Sequence, residues 1–532
     1  MTDTLLDSLD QLAFDHAFIE SLPADPRRDN RRRQVRNACY SFVEPTPVAG
    51  PELAACSEDM LRRLDLAPGV CRSEEFLQVF SGNRLLPGMK PHAMCYGGHQ
   101  FGHWAGQLGD GRAILLGDVV NRAGERWSLQ LKGAGPTPYS RTADGLAVLR
   151  SSLREFVCSE AMHALGVPTT RALSLIVTGE QVLRDMFYDG NPRHEPGAVV
   201  CRVAPSFIRF GNFQILAAQR DHENLRRLLD FSIATYDPDL GAPGKAAYER
   251  WFERVCRRSC EMVVHWMRVG FVHGVMNTDN MSIHGLTIDY GPYGFLEPYD
   301  EDWTPNTTDA QGRRYRYGNQ PQIVLWNLLQ LAEAILPLTD DPAPLEQALQ
   351  AFHDDYQHCW NDMMAHKLGF EKHESELEPA IESLPGLLKR TETDWTLFFR
   401  QLARLELSNE GISDADLKAI FEPAWYQPDE ISADYLASLR EWLALYRHAA
   451  EGRDETQRRE IMNRTNPLFV FRNYLAQEAI DQAEQGDYSR LHELLEVLRD
   501  PYREQPGKEH FAGRRPEWAR HRAGCSMLSC SS

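Results

Sequence analysis

An α+β fold in two parts is predicted for this chain of 532 residues, β-rich over residues 89–215 and helical beyond, and three observations predict it. A glycine-dense run starting at Tyr96 leads into segments that alternate apolar and polar residues with period two. From Ala246 onward the apolar residues recur instead at intervals of three and four. Between these lies HGVMNTDNMSIHGLTIDY, His273 to Tyr290, which places Asp279, Asn280 and Asp289 among short apolar steps. Period two belongs to a strand with one buried face, and a period near 3.6 to a helix with one.

Composition narrows the function classes. A hydrophobic content of 42% supports ordinary buried cores in two or three domains. The formal net charge of −19 disfavours nucleic acid and anionic membranes as partners, and leaves room only for a local basic pocket that meets phosphate. No uninterrupted apolar run approaches the roughly 18 residues of a membrane span. Asp3, Asp7, Asp10, Asp15 and Glu20 spoil secretory and transit-peptide patterns, so a cytoplasmic location is expected. The 11 cysteines contain no C-x-x-C pair, which argues against a zinc ribbon or a thioredoxin-type site; only Cys525 and Cys530 raise a redox question.

Residues 1–38 read as an acidic amphipathic helix followed by a basic run of Arg27, Arg28, Arg31, Arg32, Arg33 and Arg36, a solvated charge run to which no function is given. Tyr40–Val43, stiffened by Pro45 and Pro47, is a short extended entry, and residues 1–88 as a whole are expected to pack on the core as an extension. The run YGGHQFGHWAGQLGDGRA then supplies Gly109, Gly111 and Arg112. Glycine removes the Cβ that would keep backbone N–H groups away from phosphate oxygens, so this is a candidate phosphate cover, with Asp110 set against Arg112.

Ala113–Val119, a turn over Asn121–Gly124 and Trp127–Lys132 predict a β-hairpin whose second strand puts Lys132 on its polar face, in reach of a nucleotide phosphate. The loop after it ends at Asp144-Gly145 before a helix carrying Leu146, Leu149, Leu153 and Phe156, which offers Glu155, in preference to Glu160, as the partner of Lys132. Strands over 172–177 and 198–203 complete the β-rich part. Arg202 and Arg209 follow, guanidinium forks suited to a triphosphate.

A long helix over 246–269 delivers the chain to His273–Tyr290. An acidic base, an amide for metal, a short strand pair and a second acid followed by glycine are the ingredients of a protein-kinase catalytic loop, with Asp289-Tyr290-Gly291 in the D-F-G place. The fold expected is therefore bilobal and protein-kinase-like: a nucleotide-binding small lobe over 89–215 and a catalytic large lobe over 216–330. The polar run 291–321 reads as a substrate-facing loop. Helices fill a C-terminal region over 331–507, including 432–449 and 468–498, before a basic, mobile tail over 508–532.

Taken together, YSFVEPTPV, YGGHQFGHWAGQLGDGRA, LQLKGAGPTPYSR, AVLRSSLREF, SEAMHALGVPTTRALSL, HGVMNTDNMSIHGLTIDYGPYGF, NPLFVFRNYLAQEAI and the terminal SCSS resemble the selenoprotein O family, also called YdiU or UPF0061, over most of the chain. The resemblance implies a kinase-like fold that holds ATP reversed and transfers AMP, with UTP as an alternative donor, to Ser, Thr or Tyr hydroxyls of protein substrates. It implies nucleotide contacts at Gly109, Gly111, Arg112, Lys132, Asp144, Gly145, Arg202, Arg209 and Asp289, with Glu155 supporting Lys132. Asn280 and Asp289 would hold Mg²⁺ or Mn²⁺ and Asp279 would be the general base. The rival readings are a protein kinase that moves the γ-phosphoryl group and an inactive nucleotide-binding pseudokinase scaffold. Some members carry selenocysteine near the C-terminus, where this chain has Cys530. A bacterial relative ties its terminal cysteine to one shortly after D-Y-G, but the segment through Asn306 holds none here, which leaves Cys525 as the substitute.

Overall fold

Antiparallel pairing organises the chain up to Ala204 in the computed structural model, which describes residues 5–408 and 411–529. The strands are β1 (Phe14–Asp15), β2 (Tyr40–Phe42), β3 (Glu52–Cys56), β4 (His92–Met94), β5 (Gly97–Gln100), β6 (His103–Gln107), β7 (Ala113–Val120), β8 (Arg126–Lys132), β9 (Arg171–Arg184) and β10 (Arg193–Ala204). Eight of them make one sheet in the order β2-β4-β7-β8-β10-β9-β3, with β1 also paired to β7, while β5 and β6 form a separate hairpin. The segment before residue 89 is thus part of the sheet, contributing β1, β2 and β3.

Register decides what the sheet presents. Arg202 on β10 lies opposite Gln130 on β8, and Lys132 lies opposite Val200. Cross-strand partners share a face and residues two apart share a face, so Gln130, Lys132 and Arg202 all point the same way. The period-two reading of β8 holds, but its polar face is not solvated: Ser128 and Gln130 are buried. They face the interior, where polar groups must find polar partners.

Helix Leu149–Ala164 packs on β9 and β10 through Leu153, Phe156 and Val157. Its other side is covered by helices Asn473–Ala483 and Ser489–Leu498, so even its charged residues are enclosed: Arg150 pairs with Glu195, and Arg154 donates to Tyr293 O (2.9 Å) and Asn473 Oδ1 (3.2 Å). Helix Lys245–Val269 runs through the helical part with Trp251, Val255, Met262, Val263 and Trp266 buried, against helices Gln320–Thr339 and Ala343–Lys367. Gly270, at φ +74°, ends it in the left-handed conformation that a Cβ disfavours. The segment Tyr317–Thr339 is long and apolar enough to cross a membrane by length and composition, and its Ile323, Val324, Leu328, Leu331 and Ile335 are buried inside the protein.

Four expectations are corrected. The N-terminus forms no long amphipathic helix among its described residues: only Ala17–Ser21 is α-helical, Pro23 and Pro26 bar its extension, and Phe14–Asp15 pairs with β7 instead. The predicted helix over 468–498 is two helices starting at Asn473, parted around Gly486 at φ +81°. The run after Asp289 is not polar and open throughout: Tyr293, Phe295, Leu296, Tyr315 and Tyr317 are buried, while most of 307–313 is exposed. The tail, too, is anchored through Ser529: Phe511, Cys525 and Leu528 are buried, and Leu528 O accepts from Thr307 N (2.8 Å) and Oγ1 (2.9 Å). Apolar burial outweighs the basic composition there.

Asp394 ties the C-terminal helices together. Its fully buried carboxylate accepts from Arg472 Nη1 and Nη2 (2.8 and 3.0 Å), from Tyr426 Oη (2.9 Å) and from Leu397 N (3.0 Å) at the start of helix Trp395–Arg404. Removing one partner leaves a buried charge uncompensated, so Arg472→Ala is expected to lower unfolding free energy by about 3–5 kcal/mol. Arg227→Ala, which breaks a solvent-exposed i,i+4 pair with Glu223, should cost about 0.5 kcal/mol or less. Urea unfolding of the two variants beside the parent protein measures both.

Candidate active site

The site is built where the face of β8 and β10 meets the loop His273–Tyr290. Lys132, at the end of β8, is hydrogen-bonded to Glu155 Oε2 of helix Leu149–Ala164 and stands 3.7 Å from Asp289 Oδ1. Arg202 of β10 donates to Glu155 Oε1 (3.0 Å), to Asp289 Oδ1 and, from Nε, to Gln130 Oε1 (3.0 Å). Arg209, at the N-terminus of helix Phe210–Ala218, donates from Nη1 to Asp289 Oδ2 (2.7 Å) and to Asp279 O (2.8 Å). Three cations and two carboxylates share this cluster, which leaves it one positive charge in excess.

The electrostatics follow from burial and proximity. Burial opposes the charge on Asp289, but Arg209, Arg202 and Lys132 outweigh it and hold the carboxyl well below the usual range. Burial pushes the Lys132 ammonium down, with Glu155 offsetting it. For Asp279 burial dominates despite Arg209, and its carboxyl is pushed up to about 6. Its Oδ1 is buried without a hydrogen-bond partner. A carboxylate so poised still ionises near neutrality and in that form can take up a proton.

These groups open on a cavity of about 750 Å³. Gly109, Gly111, Arg112, Lys132, Asp144, Gly145, Arg202, Asp279, Asn280 and Asp289 all line it. Arg209 lies behind Asp289, buried over the Tyr96 ring at 4.6 Å. Asp144 is turned to Arg184, in a two-pronged ion pair (2.7 and 2.8 Å). Asp110 also lies on the cavity wall, with its Oδ2 accepting from Met94 N (3.0 Å). Glu160, the alternative partner for Lys132, is held by Arg171 and Ser57. A larger cavity, about 890 Å³, lies beside helix Trp395–Arg404 and contains none of the predicted residues.

The apolar residues of the loop do not form the expected strand pair with one another among the described residues. Met281 O accepts from Phe210 N (2.9 Å), Ile283 N donates to Ile208 O (3.3 Å), and Thr287 is bridged to Pro168 and Thr170. The loop is thereby stitched to segments remote in sequence. Asp289 itself adopts φ +59°, a left-handed conformation uncommon for a residue with a Cβ, which the two arginines hold in place.

Several contacts were not legible in the sequence. The β5–β6 hairpin is clipped onto the loop: His99 N donates to Thr278 Oγ1 (2.7 Å), Gln100 Nε2 to Asp279 Oδ2 (3.4 Å), and Phe101 N to Tyr315 Oη (2.9 Å) and Asn277 Oδ1 (3.2 Å). A Cβ at Gly98 would sit 2.5 Å from Asp279 Oδ1, so this close approach needs glycine. The density of glycine in YGGHQFG was the only available signal. Gln130 had another: a polar residue two before Lys132 on the same strand face.

Among the described residues no group of three or more His, Cys, Asp or Glu side chains could hold a metal ion. Asp289 and Asn280, whose Nδ2 is committed to Val275 O (2.8 Å) and whose Oδ1 is left as an acceptor, nevertheless offer hard oxygens of the kind Mg²⁺ or Mn²⁺ takes in small number, with phosphates and water supplying the rest. The donor set fits a metal that arrives with a nucleotide. Cys525 is a free thiol pushed up to about 11 by burial, a poor nucleophile, and Cys530 lies outside the described residues.

Residues 28–499 match the family described as Protein adenylyltransferase SelO. Proteins named Protein nucleotidyltransferase YdiU are similar over nearly their whole length. The one from Rhodopirellula baltica is 57% identical over 537 residues, covering 98% of this chain and 99% of the relative. The one from an Azoarcus species is 58% identical over 523 residues, with the same coverage.

Gly109 and Gly106 both have positive φ, at +78° and +75°, but a Cβ at Gly109 would sit 2.4 Å from Tyr139 Cγ, whereas nothing lies within 4 Å at Gly106. Alanine at either position carries left-handed strain of about 1–2 kcal/mol. Only at Gly109 must Tyr139 also move into the cavity wall. On the sequence expectation that this cavity takes ATP, Gly109→Ala should weaken its binding at least about tenfold and Gly106→Ala by less than about threefold, as read by titration with a fluorescent ATP analogue.

Proposed function

We propose, from the premise that this chain belongs to the protein adenylyltransferase SelO family and is a nucleotidyltransferase, that it transfers AMP from ATP to Ser, Thr or Tyr hydroxyls of proteins and releases pyrophosphate. The observation that carries the reading is the placement of Asp279, with an unpartnered carboxylate oxygen, on the same cavity as the Lys132–Glu155 pair and Asp289 under its arginines. An acceptor hydroxyl and a polyphosphate need those two environments side by side. The sheet-and-helix arrangement around the cavity serves, in this reading, as the small and large lobes of a kinase-like fold.

In the proposed reaction Asp279 takes the proton of the acceptor hydroxyl as its oxygen attacks the α-phosphorus, and the bond from that phosphorus to the pyrophosphate oxygen breaks. Lys132, held in direction by Glu155, and Arg112 bind phosphate oxygens. Arg202 and Arg209 orient Asp289 and supply positive potential to the departing pyrophosphate. Asn280 and Asp289 would hold Mg²⁺ or Mn²⁺, which neutralises phosphate charge when bound. Gln100 and Gly98 place the Asp279 carboxylate.

A protein kinase would use many of the same residues, so the position of the transferred phosphorus is the test. With ATP labelled at the α or the γ phosphorus, label is expected on acceptor protein from the α position only; transfer from the γ position would overturn the reading in favour of a kinase. UTP labelled at the α position, run in parallel, reports whether UMP is also transferred. Asp279→Asn should retain ATP binding within about threefold while losing at least about 10³ of kcat, within the range removed with a general base. Equal binding with no transfer by the parent protein to any acceptor tried, itself included, would favour an inactive scaffold.

A further inference from the structure

The basic run Arg27–Arg36 has the composition of a solvated face, and most of it is exposed. Arg33 is the exception. Its guanidinium donates from Nε and Nη2 to Asp25 Oδ2 (2.9 and 2.5 Å), from Nη1 to the carbonyls of Asp29 and Arg31 (both 2.7 Å), and from Nη2 to the carbonyl of Arg27 (3.2 Å). An arginine has five N–H donors, and here the chain is wound around all of them. The Arg33 and Asp25 side chains retain 9% and 7% exposure, so the pair is a buried hub and not a surface ion pair.

The wound segment lies against the loop that closes one side of the cavity. Asn30 Nδ2 donates to Pro136 O (2.8 Å), Arg33 N to Pro138 O (3.1 Å) and Arg32 Nη2 to Ala143 O (2.7 Å). A second route runs through side chains. Ser41 Oγ donates to Asp25 Oδ2 (3.1 Å), so its 2.9 Å contact with Tyr139 Oη is one in which the tyrosine donates. Tyr139 is the residue whose ring fills the space a Cβ on Gly109 would take. Gln107 of β6 fastens the same segment from the other side, accepting from Val35 N (2.9 Å) and donating to Arg33 O (3.2 Å).

We propose that residues 25–41 are a strap that sets the shape of the nucleotide cavity, with Arg33 a positioning residue that acts through Asp25, Ser41 and Tyr139 on the Gly109 turn and through backbone carbonyls on the loop 136–143. The inference rests on reading the cavity as a nucleotide site. It assigns the arginine-rich run an architectural role at one residue, in place of a general attraction for anions by all of them. A buried hub with five directed bonds responds to the shape of the side chain, whereas attraction responds only to its charge.

The test compares Arg33→Ala, Arg33→Lys, Tyr139→Phe and the double variant Arg31→Ala/Arg36→Ala in the full chain, with ATP dissociation constant, KM for ATP and kcat measured at two ionic strengths. Arg33→Ala is expected to raise both the dissociation constant and KM about tenfold while kcat stays within about twofold, a split that general destabilisation does not produce. Arg33→Lys should recover only part of the loss, since an ammonium has no planar fork. Tyr139→Phe keeps the ring on Gly109 but cuts the link to Ser41, and should raise KM about threefold; it decides the matter should Arg33→Ala not fold. The Arg31/Arg36 variant should bind ATP as the parent does. Parental KM in folded Arg33→Ala or in Tyr139→Phe overturns the strap, as does an Arg31/Arg36 variant as weakened as Arg33→Ala, which would make the effect one of charge. A parent protein that binds no ATP would instead sink the nucleotide reading on which the strap rests.

Discussion

The Asp289 carboxylate, gripped by Arg202 and Arg209 with Lys132 3.7 Å away, is the interaction on which the rest of the site depends. Buried charges are costly unless paired in good geometry, and each member of this cluster meets that condition through another. Glu155 serves both Lys132 and Arg202, and Gln130 Oε1 accepts from Nε and Nη2 of Arg202. The cluster therefore requires β8, β10, helix Leu149–Ala164 and the loop His273–Tyr290 to be in register at once. The eight-stranded sheet supplies that register, because it puts Gln130, Lys132 and Arg202 on one face.

Around this fixed centre, the parts that would meet the substrates are held from two sides. The β5–β6 hairpin reaches Thr278, Asp279 and Asn277, and Gly98 permits the approach to Asp279. On the opposite side Tyr139 packs on Gly109, and the chain behind Tyr139 leads to Arg33. Glycines thus do two kinds of work in one stretch: Gly98 makes room for a carboxylate and Gly109 for a ring. A loop whose glycines only turned the chain would show neither close contact.

Much of the fold could be read from patterns. The hairpin Ala113–Lys132, the strands within 171–204 and the helix Lys245–Val269 stand where period two and period 3.6 put them, since both periods arise from a single buried face. Patterns misled where burial came from both sides or from afar. Residues 291–321 and 508–529 look polar or basic, yet Tyr293, Phe295, Leu296, Tyr315, Phe511 and Leu528 within them are buried. Pairing with distant segments, Leu6 with Leu66 and Phe14–Asp15 with Val119 and Asp118, outweighed the amphipathic spacing of the N-terminus, since local helix preference yields to tertiary contacts. For the site, Lys132, Glu155, Asp279 and Asp289 could be nominated from residue type and spacing, but the roles of Gln130, Gln100 and Arg33 could not.

By itself the sequence determined the residue inventory: which acids, amides, cations and glycines are available, which stretches become strands or helices, and, through eight motifs in order, the family. These are local or cumulative properties, carried by short-range spacing and side-chain chemistry. Only the tertiary structure decided which charges neutralise one another, why Asp279 keeps an oxygen without a partner, and why one arginine of six in a basic run is a hub. Each of those outcomes turns on contacts between segments as far apart as residues 33 and 138 or 202 and 289. Register, burial and competition among several donors for one acceptor select them, and none of the three is a property of a short stretch of chain.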